Sequence, residues 1–189
     1  MGARLAVFDR FRRKHGSRFD AASVSAETLA AYAGKVPQEI LDEWKRSGWC
    51  GYHKGFLWTV DPSAYSDILS DWIPSTDGVY AMFRSAFGSI IYWDGSEAHC
   101  LDVLLGDVSP VPARMDILVD GVLCDDSYLK DVLRLDVFEV VQPRLGQLTK
   151  EECYGFMPPM AMGGPGSPET VQRLDLEVHL ALLAQATKA

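Results

Sequence analysis

The stretch Trp44-Lys-Arg-Ser-Gly-Trp-Cys-Gly-Tyr-His-Lys-Gly-Phe-Leu-Trp-Thr-Val-Asp-Pro62 holds three of the five tryptophans in the chain. Gly48 can end a helix running into it, because glycine takes positive φ without a Cβ clash. Gly51 and Gly55 predict a tight turn. Phe56 to Val60 is a short run of aromatic and β-branched residues, which suits a strand. Asp61-Pro62 then starts a new helix, with Asp61 as N-cap and Pro62 at the first helical position. Helix, turn, strand and helix are thus specified in under twenty residues, and Trp58 is the expected anchor of a core.

Upstream, Ser25 and Gly34 frame a two-turn helix. Pro37 opens a second, to about Ser47, with Ile40, Leu41 and Trp44 on one face. Residues 1–20 are basic and carry Phe8, Phe11 and Phe19, which suits a short helix or a partly mobile arm. Downstream, Tyr65, Ile68, Leu69 and Trp72 make an apolar stripe on the helix that Asp61 begins. Val79–Arg84 and Ser89–Trp93 predict a hairpin, and Ala98–Leu104 a third antiparallel strand after the Asp94-Gly95 turn. Gly106, Pro110 and Pro112 mark the best internal boundary. Beyond it the pattern turns helical. Asp126 or Ser127 can cap one helix, and Asp136-Val-Phe-Glu139 reads as a capping box for the next, limited by Pro143. Thr149-Lys-Glu-Glu152 offers another capping-type start. Asp175 caps a last helix, where Leu176, Leu180 and Leu183 share a face with His179.

At 189 residues, 48% hydrophobic and 23% charged, the chain fits one domain, or two small ones sharing an interface. No apolar run approaches the ~20 residues that span a bilayer, and no signal segment is visible, so the cytoplasm is the expected compartment. The four cysteines (Cys50, Cys100, Cys124, Cys153) are far apart and read as reduced. The net charge of −8 is uneven: residues 1–20 carry +4, whereas residues 61–139 hold fifteen Asp/Glu against four Arg/Lys, a net −11. An acidic middle repels nucleic acid and attracts basic proteins; its plainer use is solubility.

Catalytic chemistry finds little support. Cys50-Gly-Tyr-His53 has half a zinc spacing, with no second pair to complete four ligands. His99 and Cys100 are adjacent on a strand and point to opposite faces, against a nucleophile–base pair. Gly163-Gly-Pro-Gly166 lacks the Lys-Ser/Thr of a phosphate loop. Asp125-Asp126 suits a helix start better than a metal site. A small hydrolase or transferase using Cys50 or Cys100 is the weakest reading. An acidic chain rich in Trp and Tyr is more naturally a binding partner.

The segments Pro37–Trp44, Gly48–Pro62, Thr59–Trp72 and Arg84–Trp93 together resemble the GAD-like domain. Leu133–Leu148, Tyr154–Gly164 and Val171–Gln185 resemble the small domain that follows it in bacterial immunity proteins of the Tdi type, which neutralise DNase effectors delivered by type VI secretion. The resemblance implies an α+β protein: a GAD-like domain over residues 1–108, N-terminal helices with a small antiparallel sheet, then a smaller mostly helical domain over 109–189 packed on it. It implies no catalytic residue, metal or cofactor, and one partner, a cognate DNase effector, bound one-to-one. Neither nucleic acid nor membrane is an expected partner. The charge pattern fits, because a DNase presents basic residues to phosphates and an acidic inhibitor can occupy that surface. The expected contacts are Asp94, Asp102, Asp107, Asp116, Asp120, Asp125 and Asp126, with Tyr52 and Trp93 as exposed aromatics. A non-catalytic adaptor or regulatory module is the alternative.

Overall fold

The computed structural model describes residues 6–188. Helix α1 (Asp9–His15) leads into strand β1 (Phe19–Ala22), helices α2 (Ala26–Tyr32) and α3 (Gln38–Ser47), and strands β2 (Trp49–Tyr52) and β3 (Leu57–Thr59). A 3-10 turn at Pro62–Tyr65 continues as α4 (Ser66–Ser70), followed by β4 (Tyr80–Ser85), β5 (Ile90–Trp93), β6 (Ala98–Asp102) and β7 (Asp107–Val111). The seven strands form one antiparallel sheet in sequence order. After it come α5 (Met115–Asp120), α6 (Asp126–Asp131), α7 (Leu135–Leu145), the β8–β9 hairpin (Glu152–Phe156, Val171–Asp175) and α8 (Leu176–Lys188). The layout is α+β, and the sheet is larger than the three-strand meander read from the sequence.

The expected caps form where a side-chain oxygen meets an orphan helix amide. Ser25 Oγ accepts from Thr28 N at 3.0 Å, Asp61 from Ser63 N at 3.0 Å and Asp175 from Val178 N at 3.0 Å. Gly48 ends α3 at φ 73°, and a Cβ there would lie 2.3 Å from the Ala22 carbonyl oxygen, so β1 could not close against this corner with any other residue. Gly51 is not in the turn. It lies inside β2, paired with Trp58, and the turn is His53-Lys54-Gly55, all three at positive φ.

Several other readings are corrected. The cap of α6 is Asp125, whose carboxylate accepts from Tyr128 N at 2.9 Å, rather than Asp126 or Ser127. Helix α7 has no capping box: Arg134, at φ 64°, precedes it without a side-chain cap, and Pro143 sits in its last turns. Thr149–Glu152 starts a strand. Thr149 N does donate to Glu152 Oε2 at 3.0 Å, the reciprocal half of a capping box, without a helix following.

Strand β7 runs through residue 108, where the composition break lies, and pairs with β6 along its length from Asp102↔Asp107 to Ala98↔Val111. It is an edge strand, and Pro110 removes a backbone donor there, a common guard against a further strand adding.

The basic N-terminal segment is part of the core. Phe8 and Phe11 are 1% and 0% exposed, and Phe11 packs edge-on to Tyr52 at 5.0 Å. Asp120 on α5 accepts from Phe11 N at 2.9 Å, supplying from a distant element the cap that α1 lacks locally. His15 bonds the Leu123 carbonyl through Nε2 at 2.6 Å, and Lys14 pairs with Asp126. Helix α1 therefore joins the sheet to the α5–α6 region. The second junction is Arg84 of β4, which donates to the Thr149 and Lys150 carbonyls at 3.1 and 3.0 Å. Helix α8 closes the back, with Leu176, His179, Leu180 and Leu183 buried. Gly155 of β8 abuts it so closely that a Cβ would fall 2.3 Å from His179 Nε2.

Candidate interaction surface

The nine residues expected to make contact fall into three groups. Tyr52 and Asp102 are buried, and their expected role as exposed contacts is corrected. Tyr52 is 1% exposed and its hydroxyl donates to Glu43 Oε1 at 2.9 Å. Glu43, itself buried, also accepts from Ser47 Oγ at 2.7 Å and from Arg12. This network holds β2, α3 and α1 together, which is why an aromatic that looked like a surface anchor points inward. Asp102 accepts from Leu104 N at 2.9 Å to shape the β6–β7 turn, with Arg134 at 3.9 Å; burial raises its pKa.

The second group is accessible but occupied. Asp94 accepts from Ser96 N and Glu97 N at 2.9 and 2.8 Å and meets His99 Nε2 at 2.9 Å. Those amide bonds, from Glu97 and then Ser96, hold its carboxyl far below the usual range. Asp116 receives a two-pronged bond from Arg114 at 3.1 and 2.6 Å, which lowers its pKa. Asp120 and Asp125 are helix caps, and Asp126 pairs with Lys14. The third group is Asp107, exposed at the start of β7, and Trp93, half-buried at the end of β5.

These acids do not form one patch. Asp94 precedes and Asp107 follows β6, at its opposite ends, and this five-residue strand spans about 15 Å. Exposed apolar side chains mark the surface more locally. Leu105 (60% exposed) and Val108 (39%) flank Asp107, and Ile117 (42%) lies on α5 beside Asp116. A second apolar set lies along α8, where Val178 and Leu182, with Met157 and Leu174, line a shallow groove. Exposed apolar residues with a charged surround are the usual composition of a protein-binding patch. Sequence reasoning passed over all of these, because an isolated Leu or Val carries no sign of whether it is covered.

The residues considered for catalysis are placed against it. Cys50 and Cys100 are buried, and burial raises both thiols, that of Cys100 to about 11, the reverse of what a nucleophile needs. Cys50 Sγ faces Thr59 Oγ1 at 3.6 Å, whereas His53 Nδ1 faces His15 Nδ1 at 3.4 Å, so this Cys–His pair does not converge. Among the described residues no three His, Cys, Asp or Glu side chains group as metal ligands, and no helix is long and apolar enough to cross a membrane.

Helices α1–α4 interleaved with the strands of a seven-stranded antiparallel sheet, followed by helices and a hairpin, agree with the family match: the chain belongs to the GAD-like domain family, whose model matches residues 6–105. Residues 120–187 match the model of the C-terminal domain of the type VI secretion immunity protein Tdi1, which gives the chain an immunity role toward a type VI secretion effector. Among solved structures, the crystal structure of Atu4351 from Agrobacterium tumefaciens superposes with a TM-score of 0.80 at 19% identity, covering 95% of this chain and 89% of that one. At that identity the likeness is one of fold. No curated protein sequence matches the chain.

Proposed function

We propose that the chain neutralises a DNase effector by binding its nuclease domain one-to-one in the cytoplasm, with no catalysis of its own. The observation that carries this is the Tdi1-type C-terminal match on a chain whose residues 61–139 hold a net −11. An inhibitor so charged is drawn to a cationic DNA-binding surface, and opposite fields speed capture. Of the expected contacts, Asp107, Asp116, Asp125, Asp126, Asp94 and Trp93 remain available, with Leu105 and Val108 supplying apolar area beside Asp107. We place the working division into two lobes after β7, with α1 and Arg84 tying them.

The test is to search the genes beside this one for a nuclease effector and to reconstitute its product with the chain. The two proteins co-purify, and DNA cleavage stops at equimolar inhibitor. Asp107→Lys combined with Leu105→Glu weakens the complex at unchanged fold. Cleavage that persists at excess inhibitor removes the proposal; tight inhibition by the double variant removes only this contact surface.

A further inference from the structure

The C-terminal ends of α1 and α3 meet at a hollow of about 570 Å³, whose lining includes Arg12, Ser17, Arg18 and Arg46 and no carboxylate. Arg18 and Arg46 are exposed and have no carboxylate within ion-pair distance among the described residues. Arg12 is neutralised by Asp9 and Glu43, neither of which lines the hollow. Arg18 donates through Nη1 to the Ser47 carbonyl at 2.6 Å, which holds its guanidinium at this wall and leaves Nε and Nη2 for a ligand. Ser17, exposed beside it, adds a hydroxyl.

Basic residues in a last turn also serve the helix itself, by complementing its negative end. That accounts for Arg46 on α3. Arg18 lies beyond α1, just ahead of β1, and brings a second charge to the same hollow. The helix-end carbonyls that would repel an anion are engaged: Arg12 O accepts from Gly16 N at 3.0 Å, Trp44 O from Gly48 N at 2.8 Å, and Ser47 O from Arg18. Tyr52, the ring on the wall, is 1% exposed. The hollow therefore offers charge and hydrogen bonds, and little for an apolar body to lie on.

We propose that this hollow binds the phosphoryl group of a small phosphorylated molecule. A phosphate monoester carries a charge of about −1.5 to −2 at pH 7, which two uncompensated cations match. Its three oxygens can accept from both guanidinium forks and from the Ser17 hydroxyl. The volume suits a small ligand. A nucleic-acid backbone fits less well. It calls for cations strung along successive phosphates, whereas these line one hollow, and the net −11 over residues 61–139 repels a polyanion. The ligand would tie the α1–β1 turn to α3 and so stabilise the folded chain.

Glycerol 3-phosphate is the probe and succinate a dianion of the other chemistry, read by calorimetry and thermal shift on the whole chain at matched ionic strength. Glycerol 3-phosphate binds saturably and raises Tm, and succinate binds at least about tenfold more weakly. Arg46→Gln, at an exposed position, weakens glycerol 3-phosphate binding at least about tenfold. Lys35→Gln, the same change of charge at an exposed site outside the hollow, leaves it within about twofold. No saturable response up to about 10 mM, equal binding of succinate, unchanged binding in R46Q or an equal loss in K35Q overturns the proposal. So does a short DNA duplex that displaces glycerol 3-phosphate and binds more tightly than it does. The wild-type comparison with succinate decides even if R46Q fails to fold, and effector binding plays no part in the readout.

Discussion

Replacing Phe11 by alanine tests whether the first helix belongs to the core. The ring is 0% exposed and sits 4.6 Å from His15, 5.0 Å from Tyr52 and 5.7 Å from Phe8, centre to centre. Losing a buried phenylalanine ring costs about 3–5 kcal/mol, the transfer of the ring from water plus the cavity it leaves. The upper half of that range is expected, because the neighbours are rings anchored on separate elements and cannot easily collapse into the space. A domain is stable by about 5–15 kcal/mol in total, so about a quarter or more is at stake. At about 2–4 °C per kcal/mol for a chain of this size, Tm falls by roughly 8–20 °C. Urea unfolding followed by tryptophan fluorescence measures it, with Arg10→Ala, exposed on the same helix, as a control within about 0.5 kcal/mol. If Phe11→Ala also falls within about 0.5 kcal/mol, the helix is an appendage and the reasoning is wrong.

Other expectations follow from single contacts. Burial depresses the pKa of His15 to about 4, with the Leu123 carbonyl opposing and His53 and Lys14 adding to the shift. The native state therefore favours the neutral ring; its contribution is complete above the unfolded pKa near 6.5 and is lost as pH falls toward 4, in full about 3 kcal/mol. Urea midpoints at pH 7 and pH 5 should differ clearly, and the difference should shrink in His15→Phe. Gly155→Ala forces a Cβ onto His179 Nε2 and should cost at least about 2 kcal/mol; adding His179→Ala should recover part of it, a coupling of about 0.5 kcal/mol or more in a double-mutant cycle. Additive losses would mean that Leu174, not His179, sets the limit. Lys54, exposed at φ 56°, should give a protein about 0.5–1 kcal/mol more stable as Lys54→Gly, seen as a higher urea midpoint; a lower one would show that the turn is not strained.

The parts of the fold legible in sequence are those encoded locally. Ser25, Asp61 and Asp175 cap because a short side-chain oxygen meets an amide two or three residues away. The β4–β5–β6 meander shows because its runs are apolar and its turns carry glycine. Strands β1 and β7 stayed hidden because they lie at the sheet edges, mostly exposed, so neither has an apolar run. Strands β8 and β9 pair across a long loop, and Thr149–Glu152 offered a local helix signal that the pairing overrode. Among the surface acids, charge alone could not separate Asp107, which faces solvent, from Asp102, which turns into its own loop. Tyr52 was misplaced for a similar reason: its partner Glu43 is nine residues away, and Arg12 lies 31 residues from Glu43.

The contacts of α1 bear on how the chain is made. Its Phe11 amide waits for Asp120, 109 residues later, and His15 for the carbonyl of Leu123, 108 residues later. At about 5–20 residues per second a ribosome needs roughly 5–20 s to deliver them. Until then Phe11 and His15 lack those two partners, although Tyr52, against which the Phe11 ring packs, is made earlier. Helix α1 therefore completes its capping only once α5 and the Leu123 turn have been made.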